Sequence, residues 1–207
     1  NVSTKLTLRN KLMFDKTAKE VASIVNIVPG NSLVFFPSYD VMYNVAEYFY
    51  NLCNKKVLQE EKSFNKQEKE LIIQEFKDNY KTGSVLFAVS SASFGEGIDL
   101  IGDLLKCVII VGIPLAKPDL ETQELVKYYD KKFGKGWDYA YIYPAIIKTL
   151  QNAGRCIRSE HDKGIIVFMD QRYSLNKYLS CLPKDKNFVI TQNAIEKVKE
   201  FFNINSE

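Results

Sequence analysis

Three stretches of this chain are apolar almost without interruption: Ser32–Phe36 (SLVFF), Ser84–Val89 (SVLFAV) and Lys106–Gly112 (KCVIIVG). Gly164–Met169 is nearly the same. A strand with one wet face alternates, so an unbroken run reads as a strand covered on both faces. Between the runs, hydrophobic positions recur at helical spacing. The pattern predicts helices over Asp15–Val28 (Ala18, Val21, Ala22 and Val25), Tyr39–Leu52 (Val41, Val45, Phe49 and Leu52) and Lys66–Asn79 (Leu71, Ile72 and Phe76). Leu120–Phe133 is a fourth, and Asp138–Ile157 a long fifth that Pro144 should kink or restart. Ser174–Leu179 and Asn193–Phe202 complete the helices. Short strands are predicted at Lys56–Leu58 and Phe188–Ile190, and the alternation Lys5-Leu6-Thr7-Leu8 suggests an edge strand over Thr4–Leu8. Pro29-Gly30, Pro37, Pro114, Pro118 and Gly134-Lys135-Gly136 punctuate the pattern. Covered strands alternating with amphipathic helices imply an α/β fold: a mostly parallel sheet with helices on both faces, one domain over residues 1–207.

Ligands of such sheets gather past the carboxyl ends of the strands. Four segments qualify here: Pro37-Ser38-Tyr39, Ser90–Asp99, Ile113–Pro118 and Asp170-Gln171-Arg172. Composition narrows what they bind. With a net charge of +3 the chain has no strong global field, so contact with nucleic acid has to come from a local groove. Cys53, Cys107, Cys156 and Cys181 are scattered with no CxxC pair, which argues against a zinc site, an iron–sulfur cluster or a disulfide framework in this chain. A reducing, intracellular setting fits. No apolar run reaches membrane-spanning length, and no membrane partner is expected. The chain begins at Asn1, and we read it as a piece of something longer.

The arginines carry the chemistry. There are four, Arg9, Arg155, Arg158 and Arg172; all other basic charge is lysine. Guanidinium is a rigid, permanently charged fork that matches phosphate, whereas lysine is a mobile point charge. Arg155 and Arg158 are three apart and so share a face if helical, with Gln151 one turn earlier and Gly154 clearing space beside them. On spacing alone a solvated basic face fits equally well. In Ser90–Asp99, Gly95 and Gly97 let the backbone approach a ligand, Ser93 and the amides can donate to phosphate, and Asp99 can accept from a ribose hydroxyl. A tight turn capped by Asp99 is the plainer alternative.

What is missing matters as much. There is no G-x-x-x-x-G-K-[ST] loop and no Asp-Glu pair after a buried strand; the single His161 sits in a polar turn. The chain alone should not hydrolyse ATP. It carries finger-like arginines without the active site they would complete, which points to half of a two-lobed motor. The aromatic stretch Tyr128, Tyr129, Phe133, Trp137, Tyr139, Tyr141 and Tyr143 reads as core or interdomain packing rather than a base-stacking platform.

The order of motifs resembles the second RecA-like motor domain of the XPD/DinG family of superfamily-two DNA helicases. Phe35-Phe36-Pro37-Ser38-Tyr39 is similar to that family's motif IV, Ser93-Phe94-Gly95-Glu96-Gly97-Ile98-Asp99 to its motif V, and Gln151-x-x-Gly154-Arg155-x-Ile157-Arg158 to its motif VI. Gly112-Ile113-Pro114 and the closing run Asp162–Tyr173 fit as well. The resemblance covers about the whole chain, and Asn152 stands where many relatives carry a small apolar residue. It implies a RecA-like fold and an ATP-dependent 5′-to-3′ helicase acting on single-stranded DNA in excision repair or related metabolism. It implies that Arg155 and Arg158, with Gln151, face the γ-phosphate of ATP and magnesium bound by the absent first lobe. Gly95, Glu96, Gly97 and Asp99 would contact nucleotide; Ser38, Tyr39, Ser93 and Phe94 would line the strand path. Arg172 is either DNA-facing or structural. The family's iron–sulfur cluster would lie in the absent part, and the first lobe and repair proteins would be partners. If the source is prokaryotic, the setting is cytoplasmic and nucleoid-associated. An RNA-directed helicase lobe and a degenerate protein-docking domain are the rival readings; a metabolic doubly wound enzyme lacks its G-x-G-x-x-G.

Overall fold

The computed structural model describes residues 2–92, 94, 100, 102–115, 117–157 and 162–204. Five strands, β1 (Ser32–Phe36), β2 (Lys56–Gln59), β3 (Ser84–Val89), β4 (Cys107–Val111) and β5 (Ile165–Met169), pair wholly in parallel in the order β2-β3-β1-β4-β5. The helices are α1 (Lys11–Val25), α2 (Tyr39–Phe49), α3 (Lys66–Asp78), α4 (Leu120–Phe133), α5 (Tyr143–Ala153), α6 (Asn176–Leu179) and α7 (Ala194–Phe202). This is the RecA-like architecture.

The apolar runs do what their pattern demands. Every residue of β1, β3 and β4 is buried, and successive side chains enter opposite cores. Val34, Phe36, Val85, Phe87, Ile109 and Val111 meet α1, α2 and α7 on one face. Leu33, Phe35, Leu86, Ala88, Val108 and Ile110 meet α3 on the other. Each large side chain buried in this way contributes about 1.5–3 kcal/mol. A third cluster, Ile113, Ile142, Ala145, Ile146, Tyr173 and Leu182, seats α5 against the carboxyl end of the sheet. At the amino end, buried Asn31 binds four partners: its amide donates to the carbonyls of Phe76 and Leu104, and its oxygen accepts from the Ser84 amide and hydroxyl. One side chain thereby ties β1, β3 and α3 together.

Two expected strands do not form. Thr4–Leu8 is not a strand: Leu6–Leu8 forms a 3-10 turn with Leu6 and Leu8 exposed. Buried Thr4 is instead drawn to β5, donating to Asp170 through its amide at 2.9 Å. Close by, Gly112 (φ 73°) leaves the space that Thr4 occupies; a Cβ there would lie 2.0 Å from Thr4 Oγ1. Phe188–Ile190 is not a strand either, and Val189 and Ile190 are exposed. The long fifth helix divides near Pro144 into a π-helical turn, Asp138–Ile142, and α5, which stops at Ala153.

Candidate nucleotide and nucleic-acid interface

The carboxyl ends of β1, β3, β4 and β5 bring the predicted segments to one rim. At the end of β1, Ser38 caps α2, its hydroxyl accepting from the Val41 amide at 3.4 Å. Tyr39 follows, half-buried, with its ring 6.0 Å from that of Tyr43. Burial and then the nearby Glu60 carboxylate push the Tyr39 phenol up to about 12.

At the end of β3, Ser90 opens the glycine-bearing loop; its amide donates to the Phe36 carbonyl at 2.8 Å. Ser93, Gly95, Glu96, Gly97 and Asp99 lie outside the described residues. Phe94 does not line a strand path. It is 1% exposed and packs with Leu100, Leu105 and Cys156 in the α3-side core. An aromatic beside glycines suggested a stacking surface, but the core claimed the ring.

α5 carries the arginine segment. Its buried stripe is Ala145, Ile146, Thr149, Asn152 and Ala153, which leaves Gln151 exposed on the opposite side at the last turn. The helix then tightens: the amides of Arg155 and Cys156 donate to the carbonyls of Asn152 and Ala153, three residues back. Arg155 is half-buried just beyond the helix end rather than on it, so the shared helical face expected for the two arginines is not how Arg155 is held. Arg158 and His161 lie outside the described residues. Gly154 is exposed, and a Cβ there would make only ordinary contacts at 3.4 and 3.6 Å. The room it leaves faces outward. Behind Arg155, the Cys156 thiol is buried against the Ile165 carbonyl, and burial pushes it up to about 12.

Arg172 takes the structural alternative. Its Nε and Nη2 bind the two carboxylate oxygens of Asp170 at 2.9 and 2.8 Å, and Nη2 also donates to Thr4 Oγ1 at 3.0 Å. Asp170 is buried, and it also accepts from the Arg172 amide. A guanidinium locked in this way fastens residues 2–4 to the end of β5 and is a poor reader of DNA.

Two residues that the pattern reading passed over are central. Asn152, 0% exposed, donates from Nδ2 to the Ser90 carbonyl at 3.2 Å. Glu60, also 0% exposed, accepts from the Val89 amide at 2.9 Å. The helical stripe Ala145, Thr149, Asn152 was the available signal for the first; the second, a lone acid after a short strand, had none. The aromatic stretch is divided: α4 buries none of its residues and Tyr128, Phe133, Trp137 and Tyr139 remain exposed, whereas Tyr141 and Tyr143 pack against the third cluster. Their rings pack on one another, and Lys132 lies 5.7 and 5.2 Å from the Tyr128 and Phe133 ring centres. Among the described residues no cluster of His, Cys, Asp and Glu could hold a metal ion. No described helix is long and apolar enough to cross a membrane.

Comparison with known proteins matches residues 21–186 to a family described as the helicase C-terminal domain. An ATP-dependent DNA helicase DDX11 of Danio rerio is 31% identical over 194 residues, covering 83% of this chain and 22% of that protein. The ATP-dependent DNA helicase DinG of Photobacterium profundum is 34% identical over 167 residues, covering 76% of this chain and 23% of that protein. A solved apo structure of XPD superposes with a TM-score of 0.70 at 27% identity, over 90% of this chain and 38% of that one. The C-terminal domain of the DEAD-box protein Dbp5 shares the fold, with a TM-score of 0.52 at 14% identity. The chain thus spans less than a quarter of the length of these two curated relatives.

Proposed function

This chain belongs to the helicase C-terminal domain family, and from that premise we propose that it serves an ATP-dependent DNA helicase of the XPD/DinG type as its second motor lobe. In this reading Arg155 and Arg158 meet the γ-phosphate of ATP held by a first lobe, and Gln151, exposed on the last turn of α5, orients them. ATP supplies the phosphoryl group whose transfer drives the cycle, and the first lobe holds its magnesium. This lobe's own contribution is electrostatic: guanidinium charge placed where negative charge develops, on a helix end that the sheet holds still. Gly95, Glu96, Gly97 and Asp99 contact the nucleotide from the loop that Ser90 opens. Ser38, Tyr39 and Ser93 border a single-stranded DNA path, with the Tyr39 ring as a stacking surface. Movement 5′ to 3′, and work in DNA repair with protein partners and an iron–sulfur cluster outside this chain, complete the proposal.

The observation that supports it is the bond by which Asn152, in the same last turn as Gln151 and just ahead of Arg155, ties the end of α5 to Ser90, the residue that opens the glycine-bearing loop. The test is Arg155→Ala and Arg158→Ala, singly, in the full-length protein. Single-strand-stimulated ATP turnover should fall by about a thousandfold or more, with the melting temperature unchanged. Turnover near that of the parent protein would overturn the assignment.

A further inference from the structure

The last residue of β3 and the first residue of the loop after it are held by two buried polar side chains. Glu60 follows β2: its amide donates to the Phe87 carbonyl at 2.8 Å, and its carboxylate accepts from the Val89 amide. Asn152 reaches the Ser90 carbonyl from α5. The Glu60 carboxylate also lies beside the Tyr39 hydroxyl. Tyr39, Glu60, Val89, Ser90 and Asn152 therefore form one continuous line, and Gln151 and Arg155 flank its end.

Packing alone does not explain Asn152. Its Oδ1 and the neighbouring Ser90 Oγ are both buried, without a hydrogen-bond partner among the described residues. An unmet buried polar group costs about 1–3 kcal/mol, and an apolar side chain of the same shape would avoid that cost. The unused acceptor and the unused hydroxyl also give this contact a second arrangement, in which Ser90 Oγ–H donates to Asn152 Oδ1. Coupling between sites requires an element with two arrangements.

Building on the motor-lobe reading above, we propose that Glu60 and Asn152 are positioning residues that link strand engagement at Tyr39 to arginine placement at Arg155. Neither touches nucleotide or DNA. They fix where the glycine-bearing loop leaves β3 and where the last turn of α5 lies relative to it. A shift at Tyr39 passes through Glu60 to Val89 and Ser90, and from there to the helix that ends at Arg155.

The test uses the full-length protein and the ratio of ATP turnover with saturating oligo(dT) to turnover without it. Asn152→Leu keeps the branched shape and removes both the donor and the unmet acceptor. Its melting temperature should stay near that of the parent, while the stimulation ratio falls about fivefold or more. Neither KM for ATP nor Kd for oligo(dT) should follow. Tyr39→Phe keeps the ring and deletes only the hydroxyl that lies beside Glu60; it should lower the ratio in the same way. Because both changes break one line, the double variant should fall no further than the worse single variant. A parental ratio in Asn152→Leu, or effects that multiply in the double variant, would overturn the link. If Asn152→Leu does not fold, Tyr39→Phe decides alone: a parental ratio there overturns the proposal. A parent protein that oligo(dT) does not stimulate removes the motor-lobe reading and this proposal together. Stimulation that survives in both variants removes only this one.

Discussion

α4 and α5 both follow β4 and flank one turn, yet the fold treats them oppositely. α4 buries none of its residues and keeps its rings at the surface. α5 buries Ala145, Ile146, Thr149, Asn152 and Ala153, and its end carries the arginine segment. Both helices carry apolar and aromatic residues; what differs is whether those residues meet the sheet. α5 is anchored along its length by that buried stripe, whereas α4 only displays a surface.

The largest effect that would sharpen this comparison is on α5. Ile146→Ala removes a buried side chain and should destabilise the domain by about 2–5 kcal/mol in denaturant melts. Gly136→Ala strikes the joint between the two helices, where a Cβ would lie 2.0 Å from the Val126 carbonyl. It should cost about 1–3 kcal/mol and quicken hydrogen exchange in α4 while leaving α5 amides protected. Tyr128→Ala, at a residue 56% exposed, should change stability by no more than about 0.5 kcal/mol. If Tyr128→Ala and Ile146→Ala cost the same, the contrast is wrong. The smallest effect is alkaline. The Cys156 thiol, just past α5, is held protonated up to about 12 by burial, whereas an unfolded thiol ionises near about 8.5. A folded value raised in this way stabilises fully below the unfolded value and is lost as pH climbs toward the folded one. The melting temperature should therefore decline across that window, and decline less steeply in Cys156→Ala.

Much of this was legible in the sequence. Ser32–Phe36 and Ser84–Val89 were predicted to the residue because a strand covered on both faces reads as a nearly unbroken apolar run. Leu120–Phe133 was legible through its punctuation, Asp119 capping the start and Gly134 in the left-handed region ending it. What could not be read depended on distant partners. Thr4 has no strand to join because Asp170 takes its amide. Phe94 and Arg172 looked available for DNA, but a core on one side and a carboxylate on the other had already engaged them. Phe188–Ile190 has strand-forming residues and no ladder to complete. The same limit hid the site's supports: the helical stripe marks Asn152 only as buried, and what it and Glu60 touch across the sheet is encoded in no local pattern.

The way α5 ends has a consequence for how far Arg155 can travel. It sits between Ala153 and Cys156, both buried, so its backbone is pinned on either side like a rod clamped near its tip. Only the torsions of one side chain remain to extend it, a span of several ångströms. Under the proposed function, any gap wider than that between guanidinium and phosphate would have to be crossed by carriage of the whole lobe, and stroke length would be a property of the hinge between lobes and not of this arm.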